Sequence, residues 1–259
     1  MFRKQFLLFS FDVEEFDMPL EYGQVISEKE QLKTGYQGLE ALMAIVDPSV
    51  EATFFTTANF AQHYPDAIRS ISERHEIASH TFYHSHFRED DLFNSKKILE
   101  EITGKPVKGL RMPRMQKPAI KPVLQAGYEY DSSLNPTFLP GRYNNLAFPR
   151  KFYTQNGIFR LPVSVSPILR IPLFWLSFKN FPYRYYLHLV KRTLRKDGYV
   201  CLYFHPWEFI PLNDYAIPGY TKKFAGPELQ NRFKKLVQDL KPFGDCISIE
   251  KFMKEKKKQ

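Results

Sequence analysis

His80 and His84 stand four residues apart in His80-Thr81-Phe82-Tyr83-His84, just past a short apolar run. Two imidazoles at that spacing can ligate one divalent ion, from a helical or a looped face. Near its start the chain reads Phe9-Ser10-Phe11-Asp12-Val13-Glu14-Glu15, an apolar strand that ends in carboxylates. Near its end it reads Leu202-Tyr203-Phe204-His205-Pro206-Trp207, another strand, ending in a histidine. Acids and imidazoles at the ends of separate strands fit metal-assisted hydrolysis, with a base on one strand and an acid on another.

Each group has a plainer reading, weighed here beside the chemical one. Asp12 and Glu14 are two apart on a strand, so both side chains point to one side while Val13 points away. Alone, they would read as acids marking a strand end. Two surface histidines are the plain reading of His80 and His84, but the strand 76–79 that feeds them has the look of a buried one. Adding Glu14 gives two imidazoles and one carboxylate, which leaves coordination positions open for water and substrate. His86 is expected to be exposed or to stand behind the ligands, and His63, His75 and His188 to be structural. Arg111, at another strand end, needs a partner if buried, and Asp12 is the candidate; otherwise it forms a surface ion pair worth little. His205, a lone histidine that would ordinarily be structural, is expected to be held in one tautomer by an acid such as Asp131.

Strands are expected at 6–11, 52–57, 76–79, 109–112, 129–131, 157–163, 199–204 and 246–249, and helices at 36–46, 59–74, 90–103, 118–126, 183–197 and 227–240. Leu39, Leu42, Met43 and Val46 recur at helical spacing. Strands alternating with helices argue for a parallel sheet. Asp12, His80, Arg111, Asp131 and His205 fall at the C-terminal ends of their strands, where barrel enzymes place their chemistry. A closed or partly open β/α barrel therefore accounts for the pattern better than an open doubly wound sheet, whose Gly-rich phosphate loop is missing.

At 259 residues the chain suits one domain spanning 1–259, and its 43% apolar residues supply a core that argues against disorder. Cys201 and Cys246 sit in apolar runs and are expected to be buried thiols on late strands, not a disulfide framework. Met1-Phe2-Arg3-Lys4-Gln5 leads directly into the first strand with no small-residue cleavage site, so an uncleaved start and a cytoplasmic location are expected. The net charge of +9 comes partly from the tail Lys254-Glu255-Lys256-Lys257-Lys258, read as a solvated end. Part comes from the segment 170–195, where basic and aromatic residues alternate. That segment would suit a membrane surface, though an oligomer contact or a helix packed on the barrel is the commoner use. No nucleic-acid motif accompanies the charge.

Taken in order, these segments resemble the polysaccharide deacetylases, the NodB-homology family of carbohydrate esterases, from about residue 6 to about residue 252. Ser10-Phe11-Asp12-Val13 is similar to the family's first motif, and Ala52-Thr53-Phe54-Phe55 to its second strand. The run from His75 to His84 is similar to its metal-binding motif and is the most specific match. Arg111-Met112-Pro113, Asp131-Ser132-Ser133 and Leu202 to His205 resemble the remaining three motifs. The resemblance implies a distorted (β/α)7 barrel with Asp12 as catalytic base and His205 as acid. It also implies His80 and His84 as ligands of a divalent metal, zinc being expected, Arg111 orienting Asp12, and Asp131 orienting His205. Val13 stands where the family has a second, metal-binding aspartate, so the ligand role passes to Glu14, as in a branch similar to intracellular peptidoglycan-deacetylase-like and allantoinase-like proteins. Pro113 and Trp207 are expected to touch substrate. Arg114 and Met115 replace the usual residues after the third motif's proline, and the fourth motif lacks its tryptophan, so the substrate floor is expected to differ.

The leading expectation is a metal-dependent hydrolase that removes acetyl from an N-acetylated sugar or glycan. Hydrolysis of a cyclic amide or ureide, as in the allantoinase-like branch, is the alternative. A catalytically silent carbohydrate-binding protein on the same fold is a third reading.

Overall fold

A computed structural model describes residues 4–258; the Met1-Phe2-Arg3 part of the expected lead-in lies outside the described residues. The strands are β1 Phe6–Val13, β2 Thr53–Thr56, β3 Glu76–Ser79, β4 Gly109–Leu110, β5 Tyr130–Asp131, β6 Phe138–Leu139, β7 Tyr143–Asn144, β8 Tyr153–Gln155, β9 Ile158–Arg160, β10 Tyr199–Phe204 and β11 Asp245–Cys246. The helices are α1 Met18–Glu21, α2 Glu28–Met43, α3 Ala58–His63, α4 Pro65–Ser72, α5 Asp91–Thr103, α6 Ile120–Gln125, α7 Trp175–Asn180, α8 Tyr183–Asp197, α9 Gly219–Lys222, α10 Pro227–Leu240 and α11 Ile249–Lys257.

Seven strands run parallel in the order β10-β1-β2-β3-β4-β5-β9. β8 adds an antiparallel edge to β9, and β11 a short pairing to β1. The curled series is bridged between its ends by Ser164, not by a ladder. Its N–H donates to Cys201 O at 2.9 Å, and its Oγ accepts from Cys201 N at 2.8 Å. This is the distorted seven-stranded barrel the sequence implies. β1 has neighbours on both sides and is buried along its whole length, so it reads as a continuous apolar run and not an alternating one. Phe11 packs against Phe54, Phe204 and Phe233, which ties β1, β2, β10 and α10 into one core.

Several elements depart from the expectation for local reasons. The helix expected at 59–74 is two helices, because Pro65 forces Tyr64 out of helical geometry. α2 begins well before residue 36, capped by Ser27 Oγ, which accepts from Glu30 N at 3.2 Å. The last expected strand ends early because Ser248 caps α11, whose Ile249, Phe252 and Met253 are buried. The lysine-rich tail is thus partly the end of a packed helix. Cys201 is buried as expected, whereas Cys246 is half-buried; both are free thiols. The basic-aromatic segment becomes α7 and α8, with Phe178, Tyr186, Leu189 and Val190 packed inward. Among the described residues no helix is long and apolar enough to cross a membrane.

Two glycines on α2 set the distance between that helix and the C-terminal end of the barrel. A Cβ on Gly35 would meet Glu14 O at 2.5 Å, and one on Gly38 would meet Pro206 O and Trp207 Cα at 2.5 Å. Glycine costs helix stability but allows this backbone approach. α2 thereby buttresses both strand ends that carry the candidate chemistry.

Candidate metal and acid–base site

Asp12 lies near the end of β1 and Glu14 just past it, both buried, and β3 runs directly into His80. After His80 the chain turns sharply. Thr81 has φ +66, held by its N–H to Ser79 Oγ at 3.1 Å and its Oγ1 to Tyr83 O at 3.0 Å. This strained turn, not a helix, brings His84 back beside His80. The Nε2 atoms of His80 and His84 lie 3.1 and 3.2 Å from Glu14 Oε2. One donor atom from each of these three residues lies within 4.8 Å of the others. Tetrahedral zinc with ligand bonds near 2.0–2.1 Å asks for donors about 3.3 Å apart, so the three residues fit such an ion.

The remaining polar atoms of the three are committed. His80 Nδ1 donates to Arg111 O at 2.7 Å, and His84 Nδ1 to Asp17 Oδ1 at 2.7 Å. A carbonyl and a carboxylate can only accept, so each Nδ1 carries a proton, and each Nε2 is turned toward Glu14 Oε2. Trp207 Nε1 donates to Glu14 Oε1 at 3.1 Å, leaving Oε2 toward the histidines. Burial pushes Glu14 up, but His84, His80 and His205 outweigh it and hold the carboxyl well below its usual range. Burial pushes the His84 imidazole down, yet Glu14 and Asp17 raise it to about 9. Both shifts express a pocket that favours positive charge, which a divalent cation supplies.

Beside this cluster, Asp12 Oδ1 accepts from Arg111 Nη1 at 2.6 Å. Arg111 is fully buried, lies over the Phe55 ring at 4.0 Å, and spends its other nitrogens on Ser132 O and Oγ at 3.3 and 3.2 Å. The second oxygen of Asp12 is 4.0 Å from His205 Nε2. His205 Nδ1 donates to Glu208 Oε1 at 3.0 Å. Burial lowers the His205 imidazole, but Glu208, Glu14 and Asp12 together raise it. Trp207 stacks on His205 at 4.8 Å and Trp175 meets it edge-on at 5.0 Å.

Two expected roles need correction. Asp131 does not touch His205: it accepts from Ser133 Oγ and pairs with Arg160 Nε at 3.2 Å. It ends β5, whereas His205 follows β10, and β9 with the Ser164 bridge lies between them. Glu208 takes the place at His205 that was expected for Asp131. Pro113 is buried at the start of a 3-10 turn and does not line the cavity; its neighbours Arg114 and Met115 do. Trp207 does line it, along with Asp12, Glu14, His80, His84 and His205, around a volume of about 130 Å³. His86 is exposed and stacks on Tyr83, away from the cluster.

Three groups at the site had no role assigned to them from the sequence. Arg114, with φ +54, donates to Asp17 Oδ2 at 3.0 Å, Glu21 Oε1 at 2.6 Å and His84 O at 3.2 Å. It therefore locks the partner of one histidine and the backbone of that same histidine. Glu208 accepts from His205 N at 2.8 Å as well as from its ring. An acid three residues after a turn-opening residue is a capping pattern that could have revealed it. Lys179 pairs with Glu208 at 2.8 Å from α7 and has no sequence signal. Glu15, next to the metal candidate Glu14, instead accepts from Thr57 Oγ1 and Asn59 Nδ2 at 2.9 and 2.6 Å and ties β1 to α3.

Residues 40–130 match the polysaccharide deacetylase family model, a segment that carries β2, β3, the His80–His84 turn and Arg111. Solved structures extend the likeness across the barrel. One from Mycobacterium smegmatis, assigned as a polysaccharide deacetylase, is 20% identical with a TM-score of 0.66, over 98% of this chain and 90% of that one. One from Pseudomonas aeruginosa PAO1, assigned likewise, is 15% identical with a TM-score of 0.64, over 94% and 87%. The allantoinase PuuE is 14% identical with a TM-score of 0.59, over 94% and 87%. The chain has the polysaccharide deacetylase fold. A comparison with curated proteins finds no match. At these identities the structures speak for the fold, and the chemistry must come from the site.

Proposed function

We propose that the protein is a metal-dependent hydrolase that removes acetyl from an N-acetylated sugar or glycan. The observation that carries this reading is the pairing of Asp12 Oδ2 with His205 Nε2 at 4.0 Å, at the floor of a cavity also lined by Glu14, His80 and His84. A divalent cation held by those three residues, zinc by preference, supplies polarisation of the acyl carbonyl and acidification of water.

Asp12 is placed to take a proton from the attacking water. Arg111 fixes its Oδ1, so only Oδ2 is free for that task. His205 is placed to give a proton from Nε2 to the departing amine, since its Nδ1 is bound to Glu208. Glu208, Glu14 and Asp12 favour the protonated form of the imidazole, which is the form an acid needs. The aromatic faces of Trp175, Trp207 and Phe174 around the cavity suit the apolar faces of a sugar ring and keep water from the reacting centre.

The deciding experiment is acetate release from N-acetylated mono- and oligosaccharides by zinc-loaded protein, run beside hydrolysis of allantoin. Acetate release that chelation abolishes and zinc restores supports the reading. Turnover of the ureide alone moves the protein to the allantoinase-like alternative. Binding of acetylated sugar without turnover by the metal-loaded protein moves it to the silent one.

A further inference from the structure

Lys179 is the least expected residue near the acid–base pair. It comes from α7, in a segment legible from sequence only as basic and aromatic. Its side chain and that of Glu208 are both 0% exposed, and Nζ stands 2.8 Å from Glu208 Oε2. Nζ also donates to Thr221 O at 2.6 Å. The rings of Trp175 and Trp207 flank it at 5.2 and 5.8 Å, and the same two indoles flank His205. An ammonium buried this deeply is costly to take out of water and calls for a specific use.

The use is visible in how Glu208 divides its oxygens. Oε1 serves His205 twice, at the backbone N–H and at Nδ1. Oε2 is taken by Lys179. The carboxylate is therefore held at both ends, and the imidazole it holds is turned with Nε2 toward Asp12. We propose that Lys179 is a positioning residue of the acid–base pair: by anchoring Glu208 it fixes the orientation of His205. Its charge also offsets that of Glu208. The other charges around His205 are Asp12 on β1 and Glu14 just past it, with Arg111 behind Asp12 and the histidines His80 and His84 around Glu14.

The kinetic half of the test rests on the deacetylase reading; the spectroscopic half does not. Zinc-loaded wild type, Lys179→Met, Glu208→Gln and the double variant Lys179→Met/Glu208→Leu are compared on an N-acetylated oligosaccharide, with metal content measured for each. The double variant guards against misfolding, since a buried ion pair can be replaced by apolar groups of similar volume without loss of stability. Lys179→Met is expected to lower kcat by about 10–10²-fold, as misplacement of a catalytic group does, with KM and metal content unchanged. The alkaline limb of its pH–rate profile, set by loss of the proton from His205, should move to higher pH, because Glu208 then acts on His205 without its counter-charge. Glu208→Gln should move that limb to lower pH. Titration of the His205 ring followed by NMR should shift in the same two directions, and in the double variant should follow Glu208→Gln. These ring shifts decide the matter even if no acetylated sugar is turned over, so a failed deacetylase reading stays separate from a failed positioning role. An unchanged His205 titration in both Lys179→Met and the double variant overturns the inference. So does wild-type kcat in Lys179→Met on a substrate the wild type turns over.

Discussion

At the C-terminal end of β1, Glu14 accepts from Trp207 and faces two imidazoles. At the N-terminal end of β3, Glu76 accepts from Tyr130 Oη at 2.6 Å, Thr53 Oγ1 at 2.7 Å and Glu250 N at 3.0 Å. Burial pushes both carboxyls up. At Glu14 the neighbouring histidines reverse that push, whereas at Glu76 three neutral donors do not, and it rises to about 7. The contrast separates two uses of a covered acid. Hydrogen bonds from hydroxyls and amides satisfy lone pairs without demanding charge; two imidazoles whose Nε2 atoms converge on one carboxylate form a site that wants a cation. The end of the barrel that holds Asp12, His80 and His205 gathers groups that favour a cation, whereas Glu76 at the opposite end joins β3 to β2, β5 and α11.

If that division holds, removing charge at the C-terminal end costs chemistry more than folding. The largest effect is expected for Asp12→Asn, which keeps the shape and a partner for Arg111. On the substrate that wild type turns over, kcat should fall by roughly 10²–10⁴-fold, the usual loss for a general base, with metal content retained. Near-wild-type turnover would remove Asp12 as the base. Next in size, His80→Ala and His84→Ala should each abolish stoichiometric zinc, and Glu14→Ala should weaken it, as read by competition with a chromogenic chelator. Full zinc affinity in Glu14→Ala would sink the three-residue site. Arg114→Ala should weaken zinc by about 10–100-fold, the effect typical of a lost partner behind a metal ligand, because Asp17 and the His84 carbonyl both lose their clamp. Unaltered zinc affinity there would show that Asp17 orients His84 unaided.

What was legible in the sequence follows the same division of labour. The parallel strands were readable because they are short apolar runs that end in polar residues, and Glu14, His80 and His84 were readable because each lies on or just past such an end. The partner of His205 was not. Asp131 ends a strand in the same way as Asp12, but position on a strand end does not say which strands are neighbours in a curled sheet. Glu208 was available locally, three residues on from His205, as a capping pattern hidden behind Pro206 and Trp207. Arg114 looked like a departure because its contacts depend on a left-handed backbone that residue type does not announce. Lys179 was out of reach, since its partner lies far along the chain and nothing in its own segment marks it as buried. The hairpin β6–β7, β8 and α7 were missed for a related reason: they are short and packed by neighbours, with too few residues to show a period.

The smallest expected effect tests the opposite end of the barrel. Glu76 has a folded pKa of about 7 against an ordinary 4.5. The folded state therefore holds this proton more tightly than the unfolded chain does. The stability it contributes is complete below pH 4.5 and is lost as pH rises through about 7. At 1.36 kcal/mol per unit, the ceiling on that loss is about 3 kcal/mol. Glu76→Gln cannot lose a proton. Its carbonyl can keep Thr53 and the Glu250 N–H, while its amide donates to the Tyr130 hydroxyl, which can accept as readily as donate. Denaturant unfolding of metal-free protein should show the wild type losing up to about 3 kcal/mol more than Glu76→Gln between pH 4.5 and 8, with zinc binding and turnover the same in both. Parallel pH profiles in the two proteins would mean that Glu76 is ionised at neutrality after all, and the contrast with Glu14 would then be one of degree.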